Sequence, residues 1–190
     1  REVSFEAEKA AAQFKGEVLK VEHLTVKNED GFELVKDVSF TIHSGEIFAI
    51  AGVADNGQVE IADAIAGLTK ASGGKILLGG KDITNETIRN RTEAGISYIP
   101  EDRQSYGLVL DFDLSTNLAL KQYYRKPFSD KGILNKEEFE QFGSEMIEKY
   151  DIRSAQGIQT QVRSMSGGNQ QKAIIAREIE LQSPLMIFVQ

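Results

Sequence analysis

The residues Ile47-Phe48-Ala49-Ile50-Ala51 run apolar into Gly52, and a second glycine, Gly57, follows five positions later. Behind it Ile61, Ala64, Ile65 and Leu68 fall at helical spacing, and the pattern ends around Gly67 and Thr69. An apolar run, a glycine loop and an amphipathic helix in that order predict a strand covered on both faces that feeds a helix through a tight loop. The remainder of the chain must supply the cover. Residues 17–40 show two runs rich in alternating apolar residues around the polar turn Asn28-Glu29-Asp30-Gly31, which predicts strand, turn, strand. Residues 73–84 read as a hairpin between glycines, and residues 96–99 as a buried strand stopped by Pro100. A mainly helical region spans about 114–150, interrupted by a loop at 126–134 whose residues 127–134 look the most flexible of the interior. A further helix is predicted from Asn169 through Ile179, then a strand at 185–189. Strands alternating with helices make this an α/β protein with an inserted helical piece.

Composition narrows the chemistry. With 190 residues the chain has the length of one domain with a core of its own. Residues 1–16 are charged and Ala-rich and read as the end of a linker from a preceding domain. The chain starts at Arg1 without Met and stops at Gln190 inside an apolar run, so it reads as a fragment of a larger polypeptide. A formal net charge of −7 argues against a groove that grips nucleic acid, which needs clustered Lys and Arg. Cysteine is absent, which excludes thiolate catalysis, disulfides and Cys-ligated zinc. No stretch approaches the roughly 20 apolar residues of a membrane-spanning helix. Any membrane association must therefore come through a partner.

The loop from Gly52 through Asn56 and Gly57 has the setting in which a P-loop cradles phosphates: glycines let backbone N–H groups converge, and the helix start adds its dipole. A working P-loop reads G-x-x-x-x-G-K-[ST]. Here Gln58 stands at the Lys position and Val59 at the Ser/Thr position, so the cation for the β and γ phosphates and the hydroxyl for Mg²⁺ are both missing. Losing one charge-assisted contact costs about 1.5–3 kcal/mol, a tenfold to hundredfold loss of affinity. Asp55 adds a negative charge beside the loop. Weak nucleotide binding through the backbone stays open; efficient hydrolysis does not.

The string Met165-Ser166-Gly167-Gly168-Asn169-Gln170-Gln171-Lys172, continuing into Ala176-Arg177, resembles the L-S-G-G-Q signature of ABC ATPases. Ser166 with the Gly167 and Gly168 amides at a helix start forms a second anion site free of side-chain obstruction. The strings Pro100-Glu101-Asp102-Arg103, Gly107-Leu108 and Asn117-Leu118 resemble the second nucleotide-binding domain of ABC importers for simple sugars and nucleosides. Asn56-Gly57-Gln58 and the stretch 185–190 look most like the nucleoside type. The resemblance covers residues 17–190. It implies a P-loop NTPase (RecA-like) core with an N-terminal antiparallel β-subdomain and an inserted helical subdomain at about 110–165. It also implies a tandem protein in which this is the second half, working with another nucleotide-binding domain and with transmembrane permease subunits, at the cytoplasmic face of the cell membrane.

The resemblance assigns roles to single residues. Ser166, Gly167, Gly168, Asn169 and Gln170 would close over the γ-phosphate of ATP and Mg²⁺ held by the partner domain. Glu101 stands where most family members carry a Gln that touches the metal, and Asp102 and Arg103, able to pair, would form a coupling loop. Val189 falls at the Walker B Asp position and Gln190 at the Glu position; a slip of one residue puts Gln190 at the Asp position. In neither register is a carboxylate present, and loss of the general base alone costs about 10²–10⁴ in rate. The adenine-stacking aromatic expected between Leu24 and Gly31 is missing, and His23 and His43 read as structural. These departures favour a catalytically silent half. Two alternatives compete: a weak ATPase in which Glu101 or residues after 190 restore the metal site, and a soluble ABC protein acting on DNA or ribosomes.

Overall fold

The computed structural model describes residues 15–53 and 56–189. The chain divides into two compact units, with the boundary between Ala94 and Gly95. In the first unit β1 (Glu17–Lys27) pairs antiparallel with β2 (Glu33–His43) on one side. On its other side lies β3 (Gly73–Leu78), which turns back as β4 (Lys81–Asp82) in the order β2-β1-β3-β4. The buried residues of β1 are Leu19, Val21, Leu24 and Val26, so the period of two slips by one residue between Val21 and Leu24. An extra residue in one strand is a β-bulge, and the register shifts there. His23 takes a positive φ at the bulge and its Nδ1 lies 2.6 Å from Asp37 Oδ1.

The run at 47–51 departs from expectation. It is not a strand: among the described residues nothing is hydrogen-bonded alongside it, and Ile47 is 85% exposed. Apolarity marks a segment that suits burial, but a strand exists only where a neighbour takes its N–H and C=O groups. Phe48 finds partial cover by stacking on Phe40, ring centroids 5.0 Å apart.

Helix α1 (Gln58–Ala66) buries Ile61, Ala64 and Ile65 as their spacing predicts. It ends at Gly67, whose φ of 87° only glycine adopts without strain and whose N–H returns to Asp63 O at 2.8 Å. Helix α2 (Ile88–Ala94) supplies an anchor for that end. The guanidinium of Arg91, 3% exposed, donates to Ala64 O, Ile65 O, Thr84 O and Glu86 O at 2.6–3.0 Å. A cation at a helix C-terminus is favoured by the dipole, and the carbonyls replace its lost water; burial nonetheless lowers its pKa.

In the second unit β5 (Ile96–Ile99) runs parallel to β8 (Leu185–Phe188). Helix α3 (Leu114–Ala119) and helix α4 (Lys136–Lys149) come between them in sequence, followed by α5 (Gly167–Glu180). The interruption expected as a flexible loop holds a tight hairpin, β6 (Ser129–Asp130) and β7 (Ile133–Leu134). Ile99, Leu114, Leu118, Met146, Val162 and Ile174 meet in one core. Asp113 caps α3 by accepting from Thr116 N at 2.7 Å. Asn117 ties the preceding loop down, exchanging hydrogen bonds of 2.8 and 2.9 Å with the backbone of Val109.

A buried charge cluster joins these pieces. Glu178 of α5 is fully buried and takes Lys121 Nζ at 2.8 Å, Arg177 Nε at 3.0 Å and Tyr98 N of β5 at 3.3 Å. Burial lowers the Lys121 pKa against the pull of Glu178. Tyr150 Oη donates to Glu180 at 2.6 Å, and burial together with that carboxylate pushes the phenol up to about 12.

Candidate functional site

Each unit carries one of the two glycine-bearing helix starts. In the first, Gly57 holds the N-cap of α1 at φ 94° with its α-carbon facing the β2 backbone: a Cβ there would lie 2.7 Å from Leu34 O. No other residue fits, because the strained φ and the close carbonyl act together. The side chain of Gln58 folds back into the loop. Its Nε2 donates to Val53 O at 3.1 Å, and its Oε1 accepts from Asn56 N at 3.2 Å. A Cβ on Gly52 would collide with that same amide. The interior between Gly52, Val53 and Asn56 is therefore taken by a neutral side chain, and one of the N–H groups that a phosphate would need already has its acceptor. Val59 is exposed and apolar. So arranged, the loop offers neither a cation nor a hydroxyl at positions 58 and 59. Ala54 and Asp55 lie outside the described residues, as do residue 190 and residues 1–14, so the expected charge beside the loop, the Walker B Glu position and most of the linker stand as sequence expectations.

In the second unit, α5 opens at Ser166 in extended geometry, and its hydroxyl makes no capping bond to the first turn. Its carbonyl accepts from Asn169 N and Gln170 N at 3.0 and 2.9 Å. Nothing lies within 4 Å of a Cβ built on Gly168, so that face is open. The Gly167 α-carbon is covered instead: a Cβ there would come within 2.7 Å of Arg103 Nη2. Asn169 spans two groups, with Oδ1 2.8 Å from Arg153 N and Nδ2 2.9 Å from Ser166 Oγ. Gln170 is not available to a partner. It is 2% exposed and donates to Val162 O at 2.9 Å, which locks α5 onto the preceding turn.

The segment after β5 also differs from the pairing expected of it. Asp102 does not pair with Arg103; its Oδ1 accepts from Gln104 N and Ser105 N at 2.9 and 3.0 Å and caps the π-helical turn Arg103–Gly107. A carboxylate offered two N–H groups by its own chain keeps them at no cost in side-chain order, and the Ser105 hydrogen bonds hold its pKa below the ordinary value. Freed from Asp102, the Arg103 guanidinium reaches the start of α5, with its Nε buried and without a hydrogen-bond partner. Glu101 is exposed. Val189 lies beyond β8 with its N–H on Ile99 O at 3.0 Å. Among the described residues no group of three His, Cys, Asp or Glu is placed to hold a metal, and no helix is long and apolar enough to cross a membrane. Sequence reasoning missed Arg91 and the Glu178 cluster; a lone Arg in a short helix gives no periodic signal, whereas a Glu on the buried side of the α5 pattern was available to find.

The family model described as ABC transporter matches residues 35–188. The chain belongs to the ABC transporter family. It is 48% identical along its whole length to the guanosine import ATP-binding protein NupO of Bacillus subtilis and 45% identical to the nucleoside import ATP-binding protein NupA of Lactococcus lactis subsp. cremoris, covering 37% of each. A ribose import ATP-binding protein RbsA of Chelativorans sp. is 35% identical over 95% of the chain, which covers 34% of that protein. The chain thus spans little more than a third of the curated relatives it matches. Among solved structures the dimeric ABC transporter cassette MJ0796 superposes with a TM-score of 0.73 at 19% identity, covering 90% of this chain and 72% of that one. That likeness establishes the ABC cassette fold: an α/β body with an antiparallel β-subdomain. ATP and Mg²⁺ are the ligands that ABC ATPase domains bind in general.

Proposed function

We propose that this chain is the nucleotide-binding domain of an importer for nucleosides, and specifically the half that completes a partner domain's ATP site without processing ATP itself. The observation that carries the reading is the contrast at Gln58 and Gly168. The first loop is filled by its own amide, whereas the start of α5 presents N–H groups, a hydroxyl that makes no capping bond and an open glycine face. Nucleosides are favoured over ribose as the cargo because the relatives named for nucleoside or guanosine import are 45–48% identical along the whole chain, against 35% for the ribose protein; a putative carbohydrate transport ATP-binding protein of Mycoplasma pneumoniae, 45% identical over 82% of the chain, keeps other sugars as the second reading. The partner is a second nucleotide-binding domain, in the same polypeptide, with an intact G-x-x-x-x-G-K-[ST]; transmembrane permease subunits receive the movement at the cytoplasmic face of the membrane. Residues 17–190 then form one such domain, with the helical subdomain at about 110–165. Asp102 and Arg103 serve as a coupling segment through the turn they build and through α5, and Glu101 stands exposed beside them.

Photoaffinity labelling of the intact protein with an azido-ATP tests the silent-half reading. The label is expected on the companion domain and absent from residues 47–66. Saturable micromolar labelling there, with phosphate release lost on altering Gln58, would instead identify a working ATPase. Uptake of labelled guanosine and ribose in cells carrying and lacking the protein decides the cargo.

A further inference from the structure

We propose that Asn169 is a positioning residue that holds the Ser166 hydroxyl with its proton directed outward, ready for a phosphate oxygen of the nucleotide bound by the partner domain. The inference rests on the composite-site reading above and adds how that site is kept armed. The backbone N–H of Arg153 can only donate, so the Asn169 atom 2.8 Å from it is the amide oxygen, and the amide has one orientation. The amide nitrogen then faces Ser166 Oγ at 2.9 Å. That nitrogen also can only donate. Ser166 Oγ is therefore the acceptor in this bond, and its own proton has to point elsewhere.

The first-turn N–H groups of α5 could only donate to the hydroxyl, and none of them caps it. One other acceptor for that proton is already engaged: the Ser166 carbonyl accepts from Asn169 N and Gln170 N. The donor is left at the exposed start of α5, where the face of Gly168 is open as well. A phosphate oxygen arriving there accepts a hydrogen bond whose direction is set in advance, with little reorganisation at the moment of closure. The orientation is inherited from the chain segment at Arg153, which makes that loop part of the site without touching the ligand.

Steady-state phosphate release by the intact protein with its companion domain tests this with three variants: Ser166→Ala, Asn169→Asp and the two combined. Asp at 169 keeps an acceptor for Arg153 N–H but presents another to Ser166, so the hydroxyl proton turns inward. Asn169→Asp is expected to lower kcat about tenfold to a hundredfold, with the KM for ATP and the melting temperature nearly unchanged. The double variant is expected to be no slower than Ser166→Ala alone, since Asn169 acts through that hydroxyl. Multiplying effects in the double variant would mean that the new charge simply repels phosphate and would overturn the inference alone. So would a wild-type rate for Asn169→Asp beside a crippled Ser166→Ala. A wild-type rate for Ser166→Ala removes the composite-site reading, and the inference with it.

Discussion

The helix behind Gly57 and the helix behind Ser166 begin alike, at glycines and with first-turn N–H groups that have no partner within the helix. At α1 the first side chain, Gln58, turns back and serves as the loop's own ligand. At α5 the equivalent space beside Gly168 is left open, and the polar side chains around it bind one another so that a donor faces outward. The backbone arrangement that suits an anion is thus common to both. On the proposed reading, whether an anion is received depends on two or three side chains, so that a fold is retained while a site on it is closed.

Substitutions that reverse one side of this contrast should have the largest effect. Gly168→Asp puts a carboxylate in the open face, where an acid in the first turn of a helix is favourable for folding. Turnover by the intact protein is expected to fall by about 10² or more while the melting temperature holds; a normal rate would show that α5 faces no phosphate. Next comes Gln58→Lys with Val59→Thr, which removes the internal amide and returns the missing cation and hydroxyl. Equilibrium dialysis should show nucleotide affinity of the first loop rising about tenfold to a hundredfold. Unchanged affinity would mean that the loop is closed by something besides Gln58. Gly57→Ala tests the backbone half of the comparison. The Cβ meets Leu34 O at a strained φ, and a stability loss of about 1–3 kcal/mol is expected in denaturant unfolding.

The smallest effect concerns pH. Asp102 and Asp113 both titrate below the ordinary carboxylate value: the first through Ser105; at the second, burial is the largest single influence and pushes upward, but the hydrogen bonds from Thr116 and Ser115 together outweigh it. A depressed folded pKa gives stability that is present above the unfolded value near 3.9 and is lost as pH falls through the folded one. Acid unfolding below about pH 4 should therefore be shallower in Asp113→Asn, which keeps a cap but does not titrate.

The fold was legible wherever a single local rule decided the outcome. Helical spacing placed α1, the signature string placed α5, and the polar turn at 28–31 separated β1 from β2. The run at 47–51 was misjudged because pairing is a property of two segments, and its composition speaks only for one. At the site, the absent Lys and hydroxyl were plain in the sequence, but the use made of Gln58 was not, since an amide that folds back leaves no trace in spacing. The expected pairing of Asp102 with Arg103 failed for a related reason: adjacent opposite charges invite it, yet backbone N–H groups closer to Asp102 won.

The guanidinium lying across Gly167 makes residues 103 and 167 mutually exclusive occupants of one small volume. A methyl group introduced at 167 evicts the arginine, and shortening the arginine vacates the room that such a methyl requires. Damage from Gly167→Ala should accordingly be relieved by Arg103→Ala, a compensation between two positions 64 apart in the chain.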